Sequence, residues 1–173
     1  MKKYLKDAMI TTLKFAFLIC IALASLFVNS KILLWANVPT GSMVPTIEEH
    51  SLVLGTRYDT DEINRYDIVI FKYPDDESQI YIKRVIGLPG ETITIKNGVV
   101  YADGKILEDG YVAELSDDEG KYQVPEGCYF MLGDNRNHSI DSRFWINKFV
   151  EKDKILAKAI FIVYPLTNFG PLK

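Results

Sequence analysis

Only two histidines, His50 and His138, occur in 173 residues, and neither lies in a Ser-His-Asp context. A serine hydrolase of the common kind would lack its usual base here. Cysteine is equally scarce. Cys20 falls inside an apolar N-terminal run and Cys128 lies far downstream in a polar region. The two would sit in different solvents and cannot pair, so no disulfide staples the fold, and their spacing suggests no metal site. Cys128 is expected to be a buried free thiol. Strong charge of one sign is also missing, with a formal net charge of −3. No basic block points to nucleic acid and no acidic tail to a charged partner. There is no internal repeat and no low-complexity linker. The length suits about one domain plus an extra segment.

That extra segment is N-terminal. Lys2, Lys3 and Lys6 precede an apolar stretch from Ala8 to Val28, densest over residues 15–28. The dense part alone falls short of the ~20 residues a membrane span needs. Met9 to Leu13 supply the length if Lys14 snorkels toward the basic end. A cleaved signal peptide has the same basic start and apolar core, and Ala22, Ala24 and Ser25 mimic a cleavage site. Apolar character resumes at Ile32, Leu33, Leu34 and Trp35, just ahead of a candidate nucleophile, Ser42. This favours an uncleaved anchor. The clustered lysines place the N-terminus inside the cell. The expected organisation is a cytoplasmic N-terminus (1–7), a transmembrane anchor (8–30) and an extracytoplasmic β-rich domain (31–173). Leu33, Leu34 and Trp35 continue the helix, pack in the core, or form an apolar lip on the bilayer with Trp35 at the interface.

From Ser51 onward the pattern is β. Residues 51–58, 67–73, 79–87, 128–132 and 155–165 read as strands, and 73–78 and 116–121 as polar turn and loop. Asn97-Gly98 between TITIK and VVYA is a type I′ hairpin signal, and Asp103-Gly104 marks a second turn. Short strands with frequent turns predict a mainly β fold, an open antiparallel barrel or sandwich, with few helices beyond the anchor.

Three segments carry chemistry. In VPTGSMVPT (38–46), Gly41 permits close backbone approach and Pro39 and Pro45 stiffen the flanks of Ser42. A serine in such a loop can offer its own N–H to an oxyanion, and Thr40 can add a hydroxyl. An ordinary Ser/Thr turn is the plain alternative. In the strand QIYIKRVIG, Lys83 shares a face with Tyr81 and Val85, while Arg84 points the other way with Ile82 and Ile86. At the ordinary lysine pKa only about one amine in 2,500 is neutral at pH 7. A base matched to that pH needs burial of the charged form at a cost of ~4 kcal/mol, within reach of desolvated lysines. A stem lying along the sheet with its ammonium in water is the plain alternative. The third segment, MLGDNRNHSIDSRFW (131–145), packs Asp134, Arg136, Asp141 and Arg143 into a turn-rich stretch. Bidentate Asp–Arg pairs would fix it. A metal held by Asp134, His138 and Asp141, or a triad based on His138, are the competing readings.

Taken together and in order, the apolar anchor, PTGSMVPT, RYDIVIFKYP, YIKRVIGLPGE and GDNRNHSIDSR resemble bacterial type I signal peptidases, the Ser-Lys serine endopeptidases of the S26 family. The short stretch between LPGE and GDNR resembles the compact single-anchor enzymes of Gram-positive bacteria. The resemblance implies that Ser42 is the acylating nucleophile and Lys83 the general base. It implies an oxyanion hole from the Ser42 N–H and the Thr40 hydroxyl, Ser139 orienting the lysine amine, and Arg84, Asp134, Asp141 and Arg143 bracing the site. Met43 matches the methionine beside the nucleophile. No metal or organic cofactor is implied. The implied partners are signal-peptide-bearing preproteins cut after small residues at −1 and −3, the lipid bilayer, and a secretion or pilus-assembly machinery, with no nucleic acid. The implied location is the plasma membrane, single-pass, with the catalytic domain outside. Two departures stand out. Tyr66 replaces the glycine frequent in R-G-D-I-V, and Asn137-His138 stands where Asp-Asn is common.

Two other classes compete. Some signal-peptidase-like accessory factors for surface structures such as pili have lost the Ser-Lys pair, which this chain retains, and a peptidase dedicated to one secretion or pilus system is a further alternative. A self-cleaving repressor of the Ser-Lys β type would need a DNA-binding helix-turn-helix where this chain has its apolar run.

Overall fold

The computed structural model describes residues 2–58 and 60–172. Met1, in the expected cytoplasmic segment, lies outside the described residues. The chain divides into two compact units, one ending at Leu33 and one beginning at Leu34. The first is a single helix, α1 (Lys2–Lys31). It contains a stretch, Met9–Lys31, long and apolar enough to cross a membrane and unburied by the rest of the molecule. At 1.5 Å per residue, those 23 residues rise about 35 Å, more than the ~30 Å hydrocarbon core. Cys20 sits exposed on it.

The second unit is mainly β, as the turn-punctuated pattern predicts. Its strands are β1 (Leu33–Val38), β2 (Ser51–Thr56), β3 (Ile68–Tyr73), β4 (Asp76–Gly87), β5 (Thr92–Lys96), β6 (Val99–Ala102), β7 (Lys105–Ile106), β8 (Gly120–Gln123), β9 (Cys128–Leu132), β10 (Val150–Glu151), β11 (Ile155–Tyr164) and β12 (Gly170–Pro171). One sheet runs β1-β2-β11-β3-β4-β9-β10, with β12 on β11, and a four-stranded sheet runs β7-β6-β5-β8. The pairs β2–β11, β11–β3, β3–β4, β4–β9 and β5–β6 are all antiparallel.

Local chemistry accounts for the hairpins. Asn97 and Gly98 both have positive φ, 49° and 77°, as a type I′ turn requires, and Lys96 pairs with Val99 across it. Asp103 and Gly104 repeat the device between β6 and β7. In β5 the alternation of TITIK turns Ile93 and Ile95 inward. There they join Val100, Val124 and Phe130 in one core cluster. A second cluster forms around Trp145, with Phe71, Val85 and Met131. Its rim carries Tyr73 and Tyr81, stacked at 4.5 Å. A third holds Leu34, Val38, Met43, Ile70 and Ile82. Central strands β3 and inner β4 are buried on both faces, which is why both read as near-continuous apolar runs.

Three expectations change. Leu33, Leu34 and Trp35 do not extend α1 but open β1, where Leu34 packs in the core, as one of the readings has it, and Trp35 is exposed. The segment 73–78 is not all turn, because β4 already starts at Asp76 and leaves only Pro74-Asp75 between strands. Cys128 is half-buried rather than buried, because it opens β9 beside the two-residue edge strand β10. Burial raises its thiol pKa, so it stays protonated.

Candidate active site

β4 changes character along its length. Asp76 to Ile80 are exposed, and Ile82 to Gly87 are buried. Lys83 sits just past this transition, so its stem is enclosed while its amine reaches a cleft. The cleft has a volume of ≈ 740 Å³ and is walled by β1, the Pro39–Ser42 turn and residues 79–83 of β4. Its lining is largely apolar, with Leu34, Val38, Ile70, Ile80, Ile82 and Ile140 among the contributors.

Ser42 lies in the single 3₁₀ turn Gly41–Met43 that follows β1. The first N–H groups of such a turn have no partner within it, so they point outward as donors. Lys83 Nζ donates to Ser42 Oγ at 2.7 Å and to the Ile82 carbonyl at 3.0 Å. Both residues are almost wholly enclosed, at 4% and 5% exposure. Burial pulls the Lys83 pKa down to about 8, against the opposing pull of the Asp141 and Asp134 carboxylates. The Thr40 hydroxyl also donates to Ser42 Oγ, at 3.3 Å. Met43 is fully buried in the core. It anchors the turn from beneath and is no part of the cleft wall.

The sequence requires only one of the adjacent Lys83 and Arg84 to be buried or partnered; both are. Arg84 donates twice to Asp134, at 2.8 and 2.7 Å, and once to the Tyr66 carbonyl at 2.9 Å. Arg143 forks onto Asp141, both bonds at 2.8 Å. Asp141 also accepts the Gly133 N–H at 3.0 Å. Each carboxylate of the metal reading, Asp134 and Asp141, is thus neutralised by an arginine. His138 is exposed and lines the cleft mouth, but the hydroxyl of Ser42 is engaged by Lys83 and Thr40 rather than by an imidazole. His50 is exposed beside Glu49.

Ser139 differs from its expected contact. Its hydroxyl is buried and makes no hydrogen bond, and the amine of Lys83 instead donates to Ser42 and Ile82. Tyr66, the departure from glycine, has φ 75°, in the left-handed region that glycine enters without steric cost. Its ring meets Tyr111 edge-on at 5.9 Å, a contact glycine cannot make.

Several participants escape sequence reasoning. Asn135 ties the two loops together. Its N–H donates to the Ser42 carbonyl at 3.1 Å and its amide to the Gly41 carbonyl at 3.0 Å. Thr46 donates to Asp134 at 2.5 Å. Both lie inside motifs already singled out, so the motif is the signal that could have found them. Tyr111 and Asp118 lie in a polar segment with no local signal.

Comparison with known proteins agrees with this arrangement. The family model for signal peptidase, peptidase S26, matches residues 9–164. A probable signal peptidase I-1 of Synechocystis is 35% identical over 150 residues, spanning 78% of this chain and 73% of the relative. A signal peptidase I of Bacillus caldolyticus is 37% identical over 146 residues, spanning 75% and 78%. The crystal structure of a signal peptidase I from Enterococcus faecalis superposes with a TM-score of 0.51 at 33% identity, covering 56% of this chain and 96% of that one. The family match covers most of the helix, the cleft and both loops that meet at Ser42, and with it this chain belongs to the signal peptidases of family S26, hydrolases of peptide bonds.

Proposed function

We propose that this chain is a membrane-held signal peptidase I that cleaves signal peptides from exported preproteins, with Ser42 as nucleophile and Lys83 as general base. The contact of 2.7 Å between Lys83 Nζ and Ser42 Oγ, enclosed from water, is the observation that carries the reading. With a pKa of about 8, about one lysine in ten is neutral at pH 7, roughly 250-fold more than for an ordinary lysine. The neutral amine takes the Ser42 proton as Oγ attacks the scissile carbonyl. The Ser42 N–H and the Thr40 hydroxyl stabilise the oxyanion. The ammonium then protonates the leaving amine. Lys83, neutral again, deprotonates the water that hydrolyses the acyl-enzyme. Once acylated, Ser42 is a poorer acceptor for the amine. The unpaired hydroxyl of Ser139 then steadies it. Arg84, Asp134, Asp141 and Arg143 brace the loops that hold both residues. The cleft's apolar lining suits small residues at −1 and −3. Helix α1 serves as the single-pass anchor, with the cytoplasmic end marked by its lysines and the domain from residue 31 outside, where a secretion machinery delivers the substrate.

Cleavage of a preprotein carrying an Ala-x-Ala site, in detergent or lipid, tests this. Wild type is expected to cut after the second Ala, and Ser42→Ala to lose at least ~10³-fold in rate while remaining folded. Binding of preproteins without cleavage by wild type would instead support an accessory role.

Gly133→Ala is expected to lower kcat at least tenfold. A Cβ there would collide with Ser139 Oγ and come within 2.5 Å of the Ser42 carbonyl oxygen. A displacement of ~1 Å at a nucleophile can cost ~10²-fold. An unchanged kcat would mean that the loop yields without moving Ser42.

A further inference from the structure

Between the end of β7 at Ile106 and the start of β8 at Gly120 the chain forms no regular element. Unstructured loops of about this length are uncommon in compact domains and usually functional. This one is laid against the arginines that brace the site. The Arg84 guanidinium lies 4.2 Å from the Tyr111 ring centroid, and that of Arg136 lies 6.0 Å from it. Asp118 and Ser116 accept from Arg143 Nη1, at 2.5 and 3.2 Å. Glu114 accepts from Asn137 at 3.2 Å. The Tyr66 hydroxyl accepts the Glu108 N–H at 3.1 Å.

The loop packs Leu107 and Tyr111 against the core, as a cover would. It also presents a carboxylate to one arginine and a π face to two others, which a cover does not need. Arg136 is 4% exposed, donates through Nε to the Gly133 carbonyl, and has no carboxylate partner among the described residues. The Tyr111 ring is the negative face it shares with Arg84. Burial pushes the Tyr111 phenol up to about 12, so the ring stays neutral at any working pH.

We propose that the strap of residues 107–119 is a positioning element for the Ser42–Lys83 pair, with Tyr111 and Asp118 holding Arg84 and Arg143 on Asp134 and Asp141. This rests on the Ser-Lys reading above. The amine of Lys83 is faced by Asp134 and Asp141 from the loop after β9. Arg84 and the Tyr81 ring, 5.5 Å away, flank it on its own strand. Arg136 and Arg143 lie behind the carboxylates, and His138 lines the same cleft. Loosening Arg84 leaves Asp134 less neutralised and admits water, so the ammonium gains. Removing the Asp118 charge leaves Arg143 less neutralised, so the ammonium loses.

The test is preprotein cleavage by the full chain in detergent, with kcat, KM and the pH profile measured for Lys83→Ala, Tyr111→Leu, Tyr111→Phe and Asp118→Asn. Tyr111→Leu is expected to lose roughly tenfold in kcat, the scale of a half-buried cation–π contact, with KM within about twofold and the acid limb moved to higher pH. Tyr111→Phe, which keeps the ring, recovers both. Asp118→Asn moves the limb to lower pH and keeps the test alive if Tyr111→Leu fails to fold. A strap that is only a cover shows a lower melting temperature with kcat and limb unmoved, and that overturns the proposal. So does a Tyr111→Phe variant as impaired as Tyr111→Leu. Undiminished cleavage by Lys83→Ala overturns the Ser-Lys reading, and this proposal with it.

Discussion

Lys83→Met is expected to be inactive and, at the same time, more stable than wild type. Activity falls by ~10³-fold or more, because among the described residues no other base is hydrogen-bonded to Ser42 Oγ. Stability rises because the folded state holds the amine near pKa 8 while an unfolded chain holds it near 10.5. At neutral pH the folded protein therefore carries a charge it disfavours. That mismatch is on the order of 3 kcal/mol. Loss of the Lys83–Ser42 hydrogen bond takes back ~1 kcal/mol, and methionine fills the same apolar channel. A net gain of roughly 1–2 kcal/mol remains. The pH dependence distinguishes this cause from better packing. Between pH 8 and 10.5 the unfolded state binds more protons than the folded one, so wild-type stability climbs with pH across that window. The methionine variant lacks this climb, so its advantage vanishes before pH 10.5, where wild type, which keeps the Lys83–Ser42 hydrogen bond, becomes the more stable by about 1 kcal/mol. Below pH 8 both states of wild type are protonated and the gap is constant. Thermal unfolding of both proteins at a series of pH values reads this directly. A methionine variant less stable at pH 7, or a gap independent of pH up to 10.5, would show that the amine is not held against its charge. In the same picture wild-type kcat/KM rises with pH and levels off above about 8, where the base is mostly neutral.

The parts of the fold legible in the sequence are those where burial and turn chemistry agree. Strands β3, inner β4, β9 and β11 are apolar runs ended by turn residues, and Asn97-Gly98 pins the β5–β6 register. What stays hidden has a common physical character. β1 begins with Leu33-Leu34-Trp35, whose apolar composition continues that of α1; only the sheet that receives it makes it a strand. β8 and outer β4 are polar because hairpin arms and edge strands face water, so GKYQ and DES look like loop although they belong to strands. At the site, Ser42 and Lys83 stand out because their neighbours are unusual: a Gly and two prolines around one, a Lys-Arg pair inside an apolar strand around the other. Tyr111 and Asp118 stand out in nothing. They lie in a polar stretch, and their meeting with Arg84 and Arg143 is made by the fold alone. Tyr66 was legible as an oddity but not as a conformation, since its positive φ follows from the turn that presents its carbonyl to Arg84.

Asp134→Leu is expected to cost about 3–5 kcal/mol, the largest stability loss of any single change in the bracing network. Asp134 is fully buried and its partner Arg84 is 2% exposed. Removing the carboxylate strands a guanidinium that water cannot reach and deprives Thr46 of its acceptor. The melting temperature should fall by roughly 10 °C or more, measured on the full chain in one detergent. Size alone does not explain such a cost, and the double variant Arg84→Met/Asp134→Leu shows why. With both charges gone the site is an apolar patch between buried strands, and buried pairs replaced by apolar residues are often neutral or better. More than half of the lost stability should return. Catalysis should not return with it. Asp134 belongs to the loop whose next residue, Asn135, holds the Ser42 and Gly41 carbonyls. Its charge favours the Lys83 ammonium, but the double variant removes the opposing Arg84 charge with it, so a lower kcat is expected with the acid limb little moved. A single variant costing less than ~1 kcal/mol would mean that water reaches Arg84 after all. A double variant with full activity would mean that the ion pair stabilises the domain without positioning the nucleophile, and the buried charges would then have no role that leucine and methionine could not fill.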